Sequence, residues 1–361
     1  MSARSYLIVR LGALGDVAMC SAMIGAIRSR DPQARITWLC GSRVAPLVEL
    51  FEGVDEIVVV DEVALFRGTL ARRLGALLQL WRRLALRRFD VTLLAHEDAR
   101  YRLVLWPVRT GRLRKLDHEV SPAMLPIPGR YVGDEFVRLL DDGPPEGPVE
   151  REHSMADLRR LAQARANGAR AGIVLAPGGA RNVLREDSLR RWPVERYRDL
   201  AAQLLARGLD VTLAGDAGDS WVRPYFSGLA LRDEIGKHDV AGTLALLANA
   251  DLAVAHDTGL LHLARLVRCP VVALFGPTIP AKVIIAERDV RVLWGGANLA
   301  CRPCYNGRDF AECSNNLCMQ DISLLSVISE VDELLRAGRR SVAATSPART
   351  APAAATAERT T

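Results

Sequence analysis

The chain has 361 residues, 49% of them hydrophobic and 25% charged, a balance typical of a soluble globular protein of two ordinary domains. No apolar run approaches the length of a membrane span, the apolar start is too short for a secretory signal, and no basic motif is interleaved with aromatics. These features set aside a membrane-spanning, a secreted and a nucleic-acid-binding protein. The expected compartment is the cytoplasm, where the seven cysteines are thiols or metal ligands and not disulfides. The formal charge of +6 rests on arginine far more than on lysine. It fits anionic partners such as nucleotide phosphates or acidic lipid, and fits a GC-rich genome equally well.

In chain order, YLIVR at 6–10 reads as a short buried strand. In the LGALGDV that follows, Gly12 and Gly15 bracket a tight loop, and a helix is predicted over 17–28. Strand, glycine-rich loop and helix in succession mark nucleotide sites, although the spacing here is neither GxGxxG nor a P-loop. Asp16 stands where the strand's carboxyl end opens to solvent, either as the cap of that helix or as a functional carboxylate. ITWLCGS (36–42), EIVVVD (56–61) and VTLLAH (91–96) read as further strands, the last closed by the polar cluster His96, Glu97 and Asp98. Between the last two, residues 69–88 are predicted helical, with Leu70, Leu74, Leu77, Leu78, Trp81 and Leu84 as the apolar side. The same segment holds Arg72, Arg73, Arg82, Arg83, Arg87 and Arg88 and no acid. Such a helix either packs on the core with a solvated basic face or lies on an anionic membrane surface. Residues 109–130 are basic and read as irregular, 141–148 (DDGPPEGP) as a loop near a domain boundary, and 155–166 as a helix leading into the second half.

The second half repeats the plan. GIVLA (172–176) runs into Pro177, Gly178, Gly179 and Ala180, and DVTLA (210–214) runs into GDAGD, which ends at Asp219. Between them Arg190 and Arg191 precede Trp192-Pro193, which opens a helix. Two guanidinium groups beside the PGGA loop would neutralise a diphosphate, or are simply surface arginines. DLAVA (251–255) runs into HDTG and a helix, with Asp257 as the predicted N-cap. Thr258 and Gly259 sit at the first turn, where unpaired N–H groups and the positive dipole end suit phosphate or sugar oxygens, and His262 on the next turn points at the same spot. An ordinary capped core helix would carry the same signals. VVALF (271–275) runs into GPT. Four strands that end in polar, glycine-rich loops put those loops on one edge of a parallel sheet, and together they predict a nucleotide or phosphosugar site.

LIVRLGALGDV at the start, APGGARN with RRWPVERY in the middle, and NADLAVAHDTGLLHLA with VVALFGPT late make the chain resemble glycosyltransferase family 9, the ADP-heptose heptosyltransferases of lipopolysaccharide core assembly. The resemblance spans about residues 6–335 and does not name the acceptor. It implies the α/β GT-B fold, two Rossmann-like doubly wound domains facing across a cleft. Residues 1–150 would take the acceptor, 151–338 the nucleotide sugar, and 339–361 would form an irregular, disordered tail. It implies that Asp16 is the catalytic base, that Arg190 meets the diphosphate with Arg191 beside it, and that Asp257, Thr258, Gly259 and His262 contact the sugar and phosphate. Gly178 and Gly179 would offer backbone to the phosphates, His238 stands near the adenine position, and Asp219 near the ribose.

Cys301, Cys304, Cys313 and Cys318 are spaced to suit a tetrahedral thiolate site for structural zinc or iron, and relatives with an iron-binding cysteine finger carry one in a similar place. Thiols packing an irregular loop would look the same. Cys20, Cys40 and Cys269 read as small core residues. The expected activity is transfer of a heptose from ADP-heptose to an acceptor hydroxyl, with no cofactor for the chemistry and fixed positive groups in place of a divalent metal. The acceptor would be a core glycolipid, reached by peripheral contact with the inner membrane surface, or a protein or small natural product. The rivals are a sugar-nucleotide epimerase of the same build and a non-catalytic metal-holding scaffold.

Overall fold

The computed structural model describes residues 3–96, 101–116, 130–141, 155, 157–158, 168–181, 186–305 and 310–345. The expected helix over 155–166, Glu97, Asp98 and most of the 141–148 loop lie outside the described residues.

Two wholly parallel sheets carry the fold. The first holds β1 (Ser5–Val9), β2 (Arg35–Gly41), β3 (Glu56–Val60), β4 (Arg88–Leu94) and β5 (Arg109–Lys115) in the order β3-β2-β1-β4-β5. The second holds β6 (Gly172–Ala176), β7 (Val211–Leu213), β8 (Arg232–Asp233), β9 (Ala250–His256), β10 (Val271–Phe275) and β11 (Val290–Trp294) in the order β11-β10-β9-β6-β7-β8. Counted within each half, the first follows the doubly wound order 3-2-1-4-5 and the second 3-2-1-4-5-6. The central strands read as unbroken apolar runs because helices cover both faces: β6 and β10 are buried at every position. In such sheets ligands sit at the carboxyl ends of the strands where the order reverses. That point lies between β1 and β4 in one half and between β6 and β9 in the other.

Several expectations are corrected. Residues 109–115 are not irregular but form the edge strand β5, paired with β4 from Arg88 opposite Arg109 to Leu94 opposite Lys115. An edge strand with one open side needs few apolar residues, so RTGRLRK carries no periodic signal. The helix expected over 17–28 is two helices, Leu14–Cys20 and Ala22–Arg30, parted at Ser21, whose hydroxyl bonds back to the carbonyl of Ala18 at 2.6 Å. The basic helix spans Leu70–Leu84 and ends before Arg88, where β4 begins. The last helix, Leu324–Thr345, continues into the stretch read as a disordered tail, since arginine and alanine favour helix; residues beyond it are not described. β8, only Arg232 and Asp233, and the edge strand β11, VRVLW, were not among the strands expected from the sequence.

One apolar core runs through both halves: Ile8, Val17 and Ile24 belong to the same buried cluster as Ala176, Leu261 and Val271. Its seam is the packing of the Leu14–Cys20 helix on the helix Gly259–Leu266. A Cβ added to Gly259 would lie 3.3 Å from the Cβ of Leu14. The loops that follow β1 and β9 therefore meet.

Candidate active site

β1 ends in a loop held from below by His96. Buried at the end of β4, its Nε2 accepts the N–H of Leu11 at 2.9 Å, and its ring stacks on Tyr101 at 3.6 Å. Burial, with Arg10 nearby, lowers the His96 pKa well below the usual value and keeps the ring neutral, as an acceptor must be. Asp16 is the third residue of the Leu14–Cys20 helix, and Ala13 is its N-cap, so the cap reading of Asp16 is corrected. Its Oδ2 accepts the N–H of Ala13 at 3.3 Å and pairs with the guanidinium of Arg10. Arg10 in turn donates to the carbonyl of Ala95 and lies 5.4 Å over the ring of Phe136. The Asp16 side chain remains 35% exposed, so the carboxylate is anchored through one oxygen and open on the other side.

At the end of β9 the prediction for Asp257 also changes. Thr258 is the N-cap of the Gly259–Leu266 helix, and no side chain caps that helix. The buried Asp257 carboxylate turns sideways instead. Its Oδ2 accepts the hydroxyl of Thr278 at 3.0 Å and Arg190 at 3.4 Å, and its Oδ1 lies 3.9 Å from Nε2 of His262. The first-turn N–H groups of the helix are thereby left for a ligand. Arg190 is held from its other side by the buried Asp187 at 2.7 Å. Burial works against its charge, but Asp257 and Asp187 outweigh that and raise its pKa. His262 is buried, which lowers its pKa, while Asp257 and Asp16 oppose the shift. A Cβ on Gly15 would stand 2.4 Å from Cδ2 of His262, so glycine lets the two halves close to ring contact beside Asp16. Asp16, His262, Asp257 and Arg190 thus form one polar cluster across the seam.

The remaining predicted residues shape the loops around it. Gly179 adopts φ +78, and its N–H donates to Oδ1 of Asp219 at 2.8 Å. The Asp219 carboxylate is buried and also accepts the N–H of Asp216 at 3.0 Å and a nitrogen of Arg181 at 2.9 Å. It ties the loops after β6 and β7 together from inside. A side chain at Gly178 would collide with it, its Cβ lying 2.4 Å from the Asp219 Cγ. Arg191 donates through Nε and a terminal nitrogen to the carbonyl of Gly179, at 3.1 and 2.7 Å, and so props the PGGA loop. His238 lies in the turn between β8 and the helix Val240–Ala248, with Nε2 2.9 Å from Glu234. His256 is buried beneath the site, with Nδ1 3.1 Å from the hydroxyl of Tyr197; burial, helped by Arg191 and Arg190, lowers its pKa to about 3. Sequence reading missed Arg10, Asp187 and Thr278, and took Gly15 only as part of a tight loop. Thr278 and Gly15 act through partners far along the chain, while Arg10 and Asp187 act on Asp16 and Arg190 close by in loops that carry no motif of their own.

The four cysteines are not gathered around one point. Among the described residues no three His, Cys, Asp or Glu side chains converge to hold a metal ion. Cys301 and Cys313 are exposed, and the sulfur of Cys313 accepts the N–H of Asn316 at 3.3 Å. Cys318 is buried under Gly276 and Gly296, and burial raises the pKa of both Cys304 and Cys318.

Comparison with known proteins agrees with the architecture. The family model for glycosyltransferase family 9 (heptosyltransferase) matches residues 139–314. Lipopolysaccharide heptosyltransferase 2 of Escherichia coli is 26% identical over 305 residues, 76% of this chain and 83% of that protein. Among solved structures, the family 9 glycosyl transferase from Veillonella parvula superimposes with a TM-score of 0.73 at 19% identity, over 92% of this chain and 97% of that one. The dodecameric iron-containing heptosyltransferase TibC, solved in complex with ADP-D-beta-D-heptose, superimposes with a TM-score of 0.57 at 12% identity, over 94% and 78%. With two doubly wound halves meeting at Asp16 and Asp257 and these likenesses along the chain, this protein is similar to glycosyltransferase family 9 and is a glycosyltransferase of GT-B fold.

Proposed function

We propose that this enzyme transfers a heptose from an ADP-activated donor to a hydroxyl of a lipopolysaccharide core acceptor, in the cytoplasm, with Asp16 as general base. The observation that carries the reading is the meeting of Asp16 with the Asp257, Arg190 and His262 cluster across the seam. Residues 1–150 take the acceptor and 151–338 the donor. The sugar specificity follows the heptosyltransferase relatives, and the ADP moiety follows the donor bound to TibC.

In the transfer step, the acceptor oxygen attacks the anomeric carbon and the bond from that carbon to the diphosphate oxygen breaks. Asp16 takes the hydroxyl proton as the new bond forms. Its anchored Oδ2 leaves the opposite side of the carboxylate for the acceptor. The leaving diphosphate gains negative charge next to Arg190, which its two aspartates keep protonated and aimed, and next to the uncapped N–H groups at Gly259. These fixed charges do the work that a divalent ion does in other transferases, so no step runs through a metal. Asp257 and Thr258 hold the sugar and phosphate from the same helix start. His238 lies toward the adenine, while Gly178, Gly179, Arg191 and Asp219 shape the loop beneath the diphosphate.

The test is turnover by purified protein of ADP-heptose against UDP- and GDP-linked sugars, with core-truncated lipopolysaccharide as acceptor and mass spectrometry of the product. ADP release together with a heptose added to the glycolipid supports the reading. Release of a different nucleotide diphosphate, or a product on protein alone, overturns the donor or acceptor assignment respectively.

A further inference from the structure

We propose that the outer flank of the N-terminal half, along the Leu70–Leu84 helix, docks on an anionic lipid bilayer. The inference goes beyond the transfer reaction and does not depend on the role of Asp16.

The apolar side of the helix is wider than the sheet beneath it covers. Leu77, Leu80 and Leu84 are buried against the sheet. Leu70, Leu74 and Leu78, spaced by four, form the outer margin of that side and are at least half exposed. Beside it stands Trp106, 72% exposed, edge-on to Trp81 at 4.9 Å. The indole nitrogen of Trp81 donates to the carbonyl of Leu103, whose side chain is also exposed. Five of the twelve large exposed apolar side chains among the described residues fall on this one flank, a clustering that scattered surface leucines do not produce.

Charge decides the occupant. The helix carries four arginines and no acid. Arg73 is bound to the carbonyls of Gly68 and Phe66, but Arg72 and Arg82, with Arg102 and Arg109 nearby, make no ion pair among the described residues. A second copy of the chain seated face to face on this flank would oppose arginine to arginine. A bilayer with phosphate headgroups complements both features: leucines enter the acyl boundary, an indole lies at the headgroup level, and arginines meet phosphate. A glycolipid acceptor embedded in that bilayer would then be presented to the half of the enzyme that takes it.

The experiment is co-sedimentation of the full chain with vesicles of phosphatidylcholine alone or mixed equally with phosphatidylglycerol, at low and high salt. Binding to the anionic vesicles only, weakened by salt, is expected. The Leu74→Glu/Leu78→Glu variant should lose it, and the Arg72→Ala/Arg82→Ala variant should bind at least roughly tenfold more weakly. All these side chains are exposed, so melting temperature and ADP binding should match wild type and exclude misfolding. Equal binding by wild type and variants, equal binding to neutral and anionic vesicles, or no binding overturns the proposal. So does a dimer that the leucine variant dissociates in the absence of vesicle binding. Vesicle binding with no sugar transfer would leave this surface standing and remove the functional reading instead.

Discussion

Replacing Gly15 by alanine tests the closure of the two halves most directly. Gly15 lies inside the Leu14–Cys20 helix, where propensity alone would make alanine stabilising by ~0.5–1 kcal/mol. The tertiary structure predicts the opposite sign. The new Cβ would stand 2.4 Å from Cδ2 and 2.9 Å from Nε2 of His262. That is about 1 Å inside the separation at which carbon atoms rest. The ring is buried. Overpacking of this kind costs about 1–3 kcal/mol, which outweighs the helix gain and leaves the variant less stable by roughly 1 kcal/mol. Relief comes from parting the two helices by about 1 Å, which carries Asp16 away from Asp257 and Arg190. A misplacement of that size costs roughly a hundredfold in turnover. Thermal melting and ADP release with donor and acceptor together would measure both effects. A Gly15→Ala protein that melts higher and turns over normally would show that the seam does not close during catalysis, and the argument for a shared cluster would fail.

Asp16→Asn should fold and bind ADP as wild type does, yet transfer sugar slower by about 10²–10⁴, the range for loss of a general base; near-normal turnover would leave Asp16 only its hydrogen bond to the helix start. Asp257→Ala strands the buried hydroxyl of Thr278 and removes one of the two carboxylates on Arg190, so a stability loss of about 1–3 kcal/mol is expected, with donor binding weakened more than ADP binding. Equal thermal shifts by ADP-heptose in wild type and variant would contradict the assignment. His256 holds off its proton until about pH 3 when folded, whereas an unfolded imidazole takes one near 6.5. Between those values the unfolded chain binds more protons, so stability falls as pH drops from 6.5 toward 3, and His256→Gln should flatten part of that slope in acid titrations followed by circular dichroism. Elemental analysis of protein purified without chelator should find no stoichiometric zinc or iron; one ion per chain would show that the four cysteines rearrange to bind it.

Much of the site could be read from the sequence because its signals are local. A buried strand that runs into a glycine-rich polar loop and then a helix is written in consecutive residues, and four such units in the second half predicted both the sheet and the edge that binds ligand. Arg190 and Asp257 lie 67 residues apart, yet both were marked as candidates because each sits in a short motif at a strand end or helix start. β5 escaped because an edge strand with one solvated side has no apolar pattern to display.

What the sequence determined by itself was the identity of the elements and the residues at their ends, since helix starts, glycine turns and unbroken apolar runs depend on neighbours in the chain. The tertiary structure alone decided where the polar groups point. Asp257 and Asp16 have the composition of caps, but Thr278 and Arg190 draw the first sideways, and Arg10 with the Ala13 N–H anchors the second. Asp219, which reads as a ribose ligand, is turned inward by two backbone N–H groups it alone satisfies. The four cysteines are close in sequence but are directed to different partners. The physical reason is the same in each case. A buried carboxylate or thiol goes where its charge or hydrogen is best compensated, and the groups that compensate it arrive from strands and loops far along the chain.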